Sequence, residues 1–236
     1  MAEIYRALVL VKELCEKHNI EEGHSFSHAT AVLSHVQNAF RSTPHTLTDE
    51  EKIEVELAAL LHDVDDHKLF PKNKNFENAR EILEKINVLP KRAEKIINMI
   101  SLVSVSANGN DNFLPTRLQY YLYPRYADRL EALGKIGIER CLLYTKHVGR
   151  PLFTQTTPRA TTEEELWDIA TPERFLLYLR TNYTETYIDH FYDKLLHIGK
   201  PEVFEKSGNT YFIEEAKKRH EHIVQYILKF GRTGEV

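Results

Sequence analysis

The chain has little of what marks a secreted, membrane or nucleic-acid-coating protein. Two of its 236 residues are cysteine, Cys15 and Cys141. They form no close Cys-x-x-Cys pair, which excludes zinc fingers and dithiol redox motifs. Two isolated thiols suit a reducing cytoplasm, the expected compartment. Proline and glycine number nine each, too few for long flexible linkers. No apolar run approaches the length of a membrane span. The opening Met1-Ala2-Glu3-Ile4-Tyr5-Arg6 lacks the basic and then apolar stretches of a secretory leader. Nor does one sign of charge prevail: 31 Lys and Arg against 35 Asp and Glu leave a formal net charge of −4. That balance argues against a nucleic-acid polymer or an anionic membrane as partner. Strand patterning is weak throughout. Residues 102–107 are the best short candidate and have no pairing partner. There is no internal repeat and no low-complexity tract.

What the chain does have is helical periodicity. Leu8, Val11, Leu14 and Cys15 recur at spacings of three and four, and Ala29, Val32, Leu33, Val36 and Phe40 repeat the pattern. Thr48-Asp49-Glu50-Glu51 reads as a capping box opening a third helix through Ile53, Leu57, Ala58, Leu60, Leu61 and Val64. Further helices are expected near residues 76–87, 90–103, 124–134 and 135–147. Residues 104–115 read as a loop and 149–158 as irregular. Thr162-Glu163-Glu164-Glu165 is a second capping box. Thr171-Pro172 reads as an N-cap with proline at the first helical position, opening a long helix over 172–198 with a break near Asn182. A last helix covers about 211–230. The fold class is therefore all-α, a helical bundle in a single domain over 1–236. Its chemistry is expected within about 20–150, and a C-terminal helical part spans about 151–236.

The third helix is apolar around most of its circumference near its end, as suits a helix in the middle of a bundle. Yet it runs into His62-Asp63-Val64-Asp65-Asp66-His67. Ionisable groups at the end of a buried helix need partners, because an unpaired buried charge is very costly. A metal ion is one such partner. His28 follows a polar loop at the start of another helix, and Asp128 sits in Ala-Asp-Arg-Leu on a third. Ligands from several helices can converge in a bundle. A lone His-Asp doublet carries little, since this composition alone yields roughly half of one by chance. Here the information is in the context. Two imidazoles and two carboxylates make a mixed nitrogen and oxygen donor set suited to one divalent cation. Asp66 lies four residues after His62 and three after Asp63, on their side of a helix.

These residues resemble the HD-domain superfamily of metal-dependent phosphohydrolases, whose signature is His, His-Asp, Asp. The resemblance is closest to the small HD-domain (deoxy)nucleoside triphosphate pyrophosphohydrolases. It is carried by residues 23–28 (Gly-His-Ser-Phe-Ser-His), 57–64 (Leu-Ala-Ala-Leu-Leu-His-Asp-Val), Asp66 and Lys68. Further matches are 127–130 followed by 132–138, 149–151, 190–196 and 216–220. They run in the expected order from Gly23 to about Arg219. One departure concerns the last ligand. Family members carry an acid two residues before it, where this chain has Tyr126. Segments 104–123 and 158–183 also exceed the family pattern.

The resemblance implies His28, His62, Asp63 and Asp128 as metal ligands. It implies Asp66 and Lys68 as catalytic residues, and His24, Arg129, Arg150, His190, Lys194 and Arg219 as substrate contacts. Asp66 has a second reading, as a hydrogen-bond partner of Lys68 or His24, and Arg129 one as a partner of Glu131 or Glu139. The expected cofactor is one divalent ion. The resemblance tilts the choice to Mn²⁺, with Fe²⁺, Co²⁺, Mg²⁺ and Ni²⁺ as alternatives. The expected reaction converts a (deoxy)nucleoside triphosphate to monophosphate and pyrophosphate. A nucleotide phosphomonoesterase, a phosphodiesterase and a nucleotide-binding protein with a silent site remain alternatives. A homodimer is compatible with all of them.

Overall fold

The computed structural model of this chain describes residues 2–20, 25–42, 47–111 and 113–236, and the fold is all-α, with no strand among the described residues. The chain divides into two compact units. The first comprises Met1–Ser104, Phe113–Asp128 and Ser207–Tyr211, and the second Val105–Asn112, Arg129–Lys206 and Phe212–Val236. No helix among the described residues is long and apolar enough to cross a membrane.

The first unit contains α1 (Ala2–Lys17), α2 (Phe26–Ala39), α3 (Asp49–Leu61), α4 (Glu77–Lys85) and α5 (Pro90–Ser101). α3 packs against α1, α2 and α5. Its second half explains the central position: Val55 and residues 57–61 (Leu-Ala-Ala-Leu-Leu) are all fully buried, so there is no polar face to give to water. The polar first turn is closed by the expected capping box. Thr48 Oγ1 accepts from Glu51 N at 3.2 Å, and Glu51 Oε2 accepts from Thr48 N at 2.8 Å. Such a cap contributes about 1 kcal/mol. The one acid on the buried part of α3, Glu54, is fully shielded. It faces Arg92 Nε and Lys95 Nζ of α5, each at 3.4 Å. The Arg92 fork also grips Glu3 of α1 at 3.0 and 3.2 Å. One guanidinium thereby ties three helices together, in the planar geometry that arginine presents to a carboxylate.

The second unit holds α6 (Val105–Asn108), the end of α7 (Tyr123–Glu131), and α8 (Gly134–His147), α9 (Glu163–Ile169), α10 (Pro172–Thr181), α11 (Tyr187–His190), α12 (Leu196–Ile198), α13 (Pro201–Glu205) and most of α14 (Thr210–Thr233). The helix expected over 172–198 is several pieces. α10 stops at Asn182, which takes the left-handed conformation (φ 50°), one that asparagine tolerates better than most residues. The chain restarts at Thr186, whose hydroxyl accepts from Asp189 N at 3.0 Å. A π-helical turn over Phe191–Leu195 follows. Arg174 of α10 joins the pieces, with Nη2 on Asp189 Oδ1 at 2.7 Å and Nε on Asp193 Oδ1 at 2.6 Å. The short α6 lies in the segment expected to be a loop, and α13 has no counterpart in the sequence reading.

α14 buries Phe212, Ala216, Ile223, Ile227 and Phe230. Beside them Gly231 meets the 160 region at backbone distance: a Cβ on Gly231 would stand 1.8 Å from Ala160 O. Replacing an interior helical glycine by alanine ordinarily gains about 1 kcal/mol. Here the overlap is with backbone, which no rotamer change relieves, and overpacking costs about 1–3 kcal/mol or more. Gly231→Ala is therefore expected to lower the unfolding free energy despite the better helix propensity, as read by urea denaturation. A stabilised variant would contradict the close approach.

Candidate metal centre

The centre is built where hydrocarbon ends. His62 is the residue on which α3 terminates, and Asp63 follows in a turn closed by Val64 N to Leu61 O at 3.3 Å and Asp66 N to Asp63 O at 3.0 Å. His28 lies in the first turn of α2, and Asp128 in α7. All four belong to the first unit.

The four side chains meet. His28 Nε2 and His62 Nε2 are 3.2 Å apart. Asp63 Oδ2 stands 3.5 Å from the His28 nitrogen and 3.3 Å from that of His62. Asp128 Oδ1 stands 3.2 and 3.6 Å from the same two atoms. Ligands at right angles around an octahedral cation, each about 2.1 Å from it, are about 3.0 Å from one another. The observed spacings are close to that edge length. The imidazoles are sealed, at 2% and 1% exposure, whereas Asp63 and Asp128 are 20% and 27% exposed. The nitrogens form a floor, and the carboxylates form a rim that water can reach.

Protonation points the same way. His62 Nδ1 is 2.8 Å from Ala59 O. A carbonyl only accepts, so Nδ1 carries the hydrogen, and the neutral ring then presents its Nε2 lone pair to the cluster. Burial works against a charged His62. The Asp63 charge and hydrogen bonds to Asp128 and Asp63 outweigh it and lift the imidazole well above its usual range. Burial likewise opposes ionisation of Asp128, yet hydrogen bonds from His28 and His62 hold its carboxyl far below the normal carboxylate range. Two inward-facing carboxylates call for positive charge between them, and a divalent cation bound by both imidazoles meets that demand with the donor set present.

Asp66 accepts from Lys68 N through Oδ1 at 2.8 Å, one of the two roles open to it in the sequence. Lys68 itself is exposed. His24 lies outside the described residues. Arg129, Arg150, His190, Lys194 and Arg219 belong to the second unit. Arg129 is fully buried, donating to Asn110 Oδ1 at 3.0 Å and to Gly109 O. Arg219 donates to Leu130 O at 2.8 Å and Glu131 Oε1 at 3.2 Å. Lys194 Nζ lies 5.5 Å over the Tyr178 ring, whose edge also meets His190. Arg150 and Lys194 both act electrostatically on Cys141, but burial dominates and pushes that thiol up to about 11.

One residue of the turn that follows the His62-Asp63 pair was not singled out from sequence. Asp65 accepts from Asn78 N and Ala79 N, each at 2.9 Å, through its two oxygens. The signal was present: α4 is preceded by Phe76, which has no side chain able to cap a helix, so the acceptor has to come from elsewhere in the chain.

No protein-family profile matches the chain. It is 39% identical over 232 residues to the uncharacterized protein L803 of Acanthamoeba polyphaga mimivirus, covering 93% of each chain. Among solved structures it is similar to a Lactobacillus plantarum protein, with TM-score 0.67 and 23% identity over 98% of this chain and 95% of that one. A Bacillus thuringiensis HD-superfamily hydrolase gives TM-score 0.62 and 23% identity over 96% and 94%. Bacillus subtilis YpgQ in complex with ADP gives 0.60 and 18% over 98% and 96%. The chain thus belongs to the same family as the mimivirus protein, and it shares its fold with the B. thuringiensis HD-superfamily hydrolase.

Proposed function

We propose that this chain is a metal-dependent hydrolase of phosphoric anhydrides in nucleotides, converting a (deoxy)nucleoside triphosphate to its monophosphate and pyrophosphate. The observation that carries the reading is the meeting of His28, His62, Asp63 and Asp128: the two imidazole nitrogens are 3.2 Å apart, and an oxygen of each carboxylate stands 3.2–3.6 Å from both. These four would hold one divalent ion, Mn²⁺ in the first instance. Such an ion would lower the pKa of a bound water and draw charge from a phosphoryl oxygen.

The chain's own groups do the rest. His62, fixed by its bond to Ala59 O at 2.8 Å, keeps its Nε2 directed inward without reorganisation during turnover. Asp66 has Oδ1 turned to the Lys68 N–H, so Oδ2 is the oxygen assigned to take the proton of the attacking water. The Lys68 ammonium is assigned to the departing phosphates, as a point charge. A nucleotide substrate is supported by the ADP complex of the B. subtilis structure and by the resemblance in residues 23–28, 57–64, Asp66, Lys68, 127–130, 132–138, 149–151 and 190–196. Arg150, His190 and Lys194 are assigned to the substrate on that resemblance alone.

Three outcomes are expected. Purified His62→Ala and Asp63→Ala should lose Mn²⁺-dependent turnover by about a thousandfold or more, since metal assistance is worth several kcal/mol and about 1.4 kcal/mol is tenfold. Their circular dichroism should stay helical; unchanged activity would remove the site. Asp66→Asn should slow turnover by about a hundredfold or more while retaining stoichiometric metal. A variant that loses its metal would make Asp66 a ligand instead. With Mn²⁺ and a panel of nucleoside triphosphates, chromatography should resolve pyrophosphate as the product. Orthophosphate would replace this reading with a phosphomonoesterase, and binding without turnover with a silent site.

A further inference from the structure

α4 begins with an unmet demand. The first amides of a helix have no partner inside it. The residue at the N-cap position, Phe76, sits in the left-handed region (φ 58°) and makes no side-chain cap. Asp65, from the turn after the His62-Asp63 pair, supplies what is missing. Its Oδ1 accepts from Asn78 N and its Oδ2 from Ala79 N, each at 2.9 Å. A third donor, Asn73 Nδ2, also reaches Oδ1. Asn78 closes the clasp by returning its Nδ2 to Val64 O at 2.7 Å. Carboxylates at helix N-termini are favoured by the dipole as well as by these bonds.

The clasp has a geometric consequence for the centre. On one side, His62 is held through Nδ1 to Ala59 O. On the other, Val64 O and the Asp65 side chain are both held by the start of α4. Asp63 is the only residue between these two anchors. Its position is therefore set by α4, an element that contributes none of the four candidate ligands. α4 in turn packs on α1 and α5, so the anchor is part of the packed first unit and not a loose loop.

We infer that Asp65 is the positioning residue of the centre: it fixes Asp63 for the cation by serving as the N-cap that α4 lacks. The inference rests on the metal reading above. It assigns Asp65 no contact with substrate or metal.

The test is Mn²⁺ affinity, measured by the loss of the free-ion electron paramagnetic resonance signal on titration, in wild type, Asp65→Ala, Asp65→Asn and Asn78→Ala. Removing residues that orient ligands costs about 10–100-fold in metal affinity, and Asp65→Ala is expected in that range. Asp65→Asn keeps one acceptor oxygen and should fall between wild type and alanine. Asn78→Ala keeps the backbone donor but frees Val64 O. It should weaken Mn²⁺ severalfold, and it provides the measurement if Asp65→Ala does not fold. Thr162→Ala removes a helix cap in the second unit, where Thr162 Oγ1 accepts from Glu165 N at 3.2 Å. It should lower the melting temperature without changing the Mn²⁺ affinity, separating positioning from general destabilisation. Wild-type affinity in both Asp65→Ala and Asn78→Ala would overturn the inference and leave the metal centre standing. A wild type that takes up no Mn²⁺ would instead fail at the metal reading, and the inference would fall with it.

Discussion

The constraint from which the rest follows is electrostatic. Two carboxylates and two imidazoles are gathered where α3 leaves the packed interior, with the rings sealed and the acids on the rim. Held without a countercharge, such a group would be strongly unfavourable. Its metal-free form is stabilised by protons: His62 is driven toward the imidazolium and Asp128 is held ionised. The same arrangement that favours a proton would favour a divalent cation, which carries more charge and can be shared by both imidazoles and both carboxylates. The apolar rest of α3 provides the rigid platform from which His62 and Asp63 project.

Much of this was legible in the residues, for identifiable reasons. The Thr48 and Thr162 capping boxes have a fixed three-residue geometry and form as written. The all-apolar end of α3 left it nowhere to go but the centre of its unit. The meeting of His28 with Asp128 depended on tertiary packing, which no local pattern encodes; family resemblance, not periodicity, supplied it. Other features hid for physical reasons. The segmentation after Asn182 costs little in local propensity, because asparagine accepts the left-handed conformation. Asp65 escaped notice because the helix it serves begins twelve residues downstream of it.

Histidine shows why residue type alone is a poor guide. His197 lies stacked on Phe175 at 4.9 Å and His220 on Trp167 at 6.0 Å. Burial is the largest influence pushing each down to about 4, so both remain neutral plates in the packing of the second unit. His28 and His62 are buried to a similar degree and differ in what faces them, namely carboxylates. Arginine repeats the lesson. Arg129 and Arg219 hold backbone carbonyls, and Arg174, which no motif singled out, bridges two aspartates.

The bond from His62 to the Ala59 carbonyl also bears on the choice of cation. A ring locked with its Nε2 inward, opposite a second imidazole, offers two nitrogen donors that cannot turn away to suit a hard ion. Calcium, which prefers an all-oxygen shell, is poorly matched to such a floor. First-row transition ions are well matched, and among them the later members bind nitrogen more tightly regardless of which supports turnover. Were the centre filled as proposed, the element recovered with the purified chain would record which ions the producing cell had available.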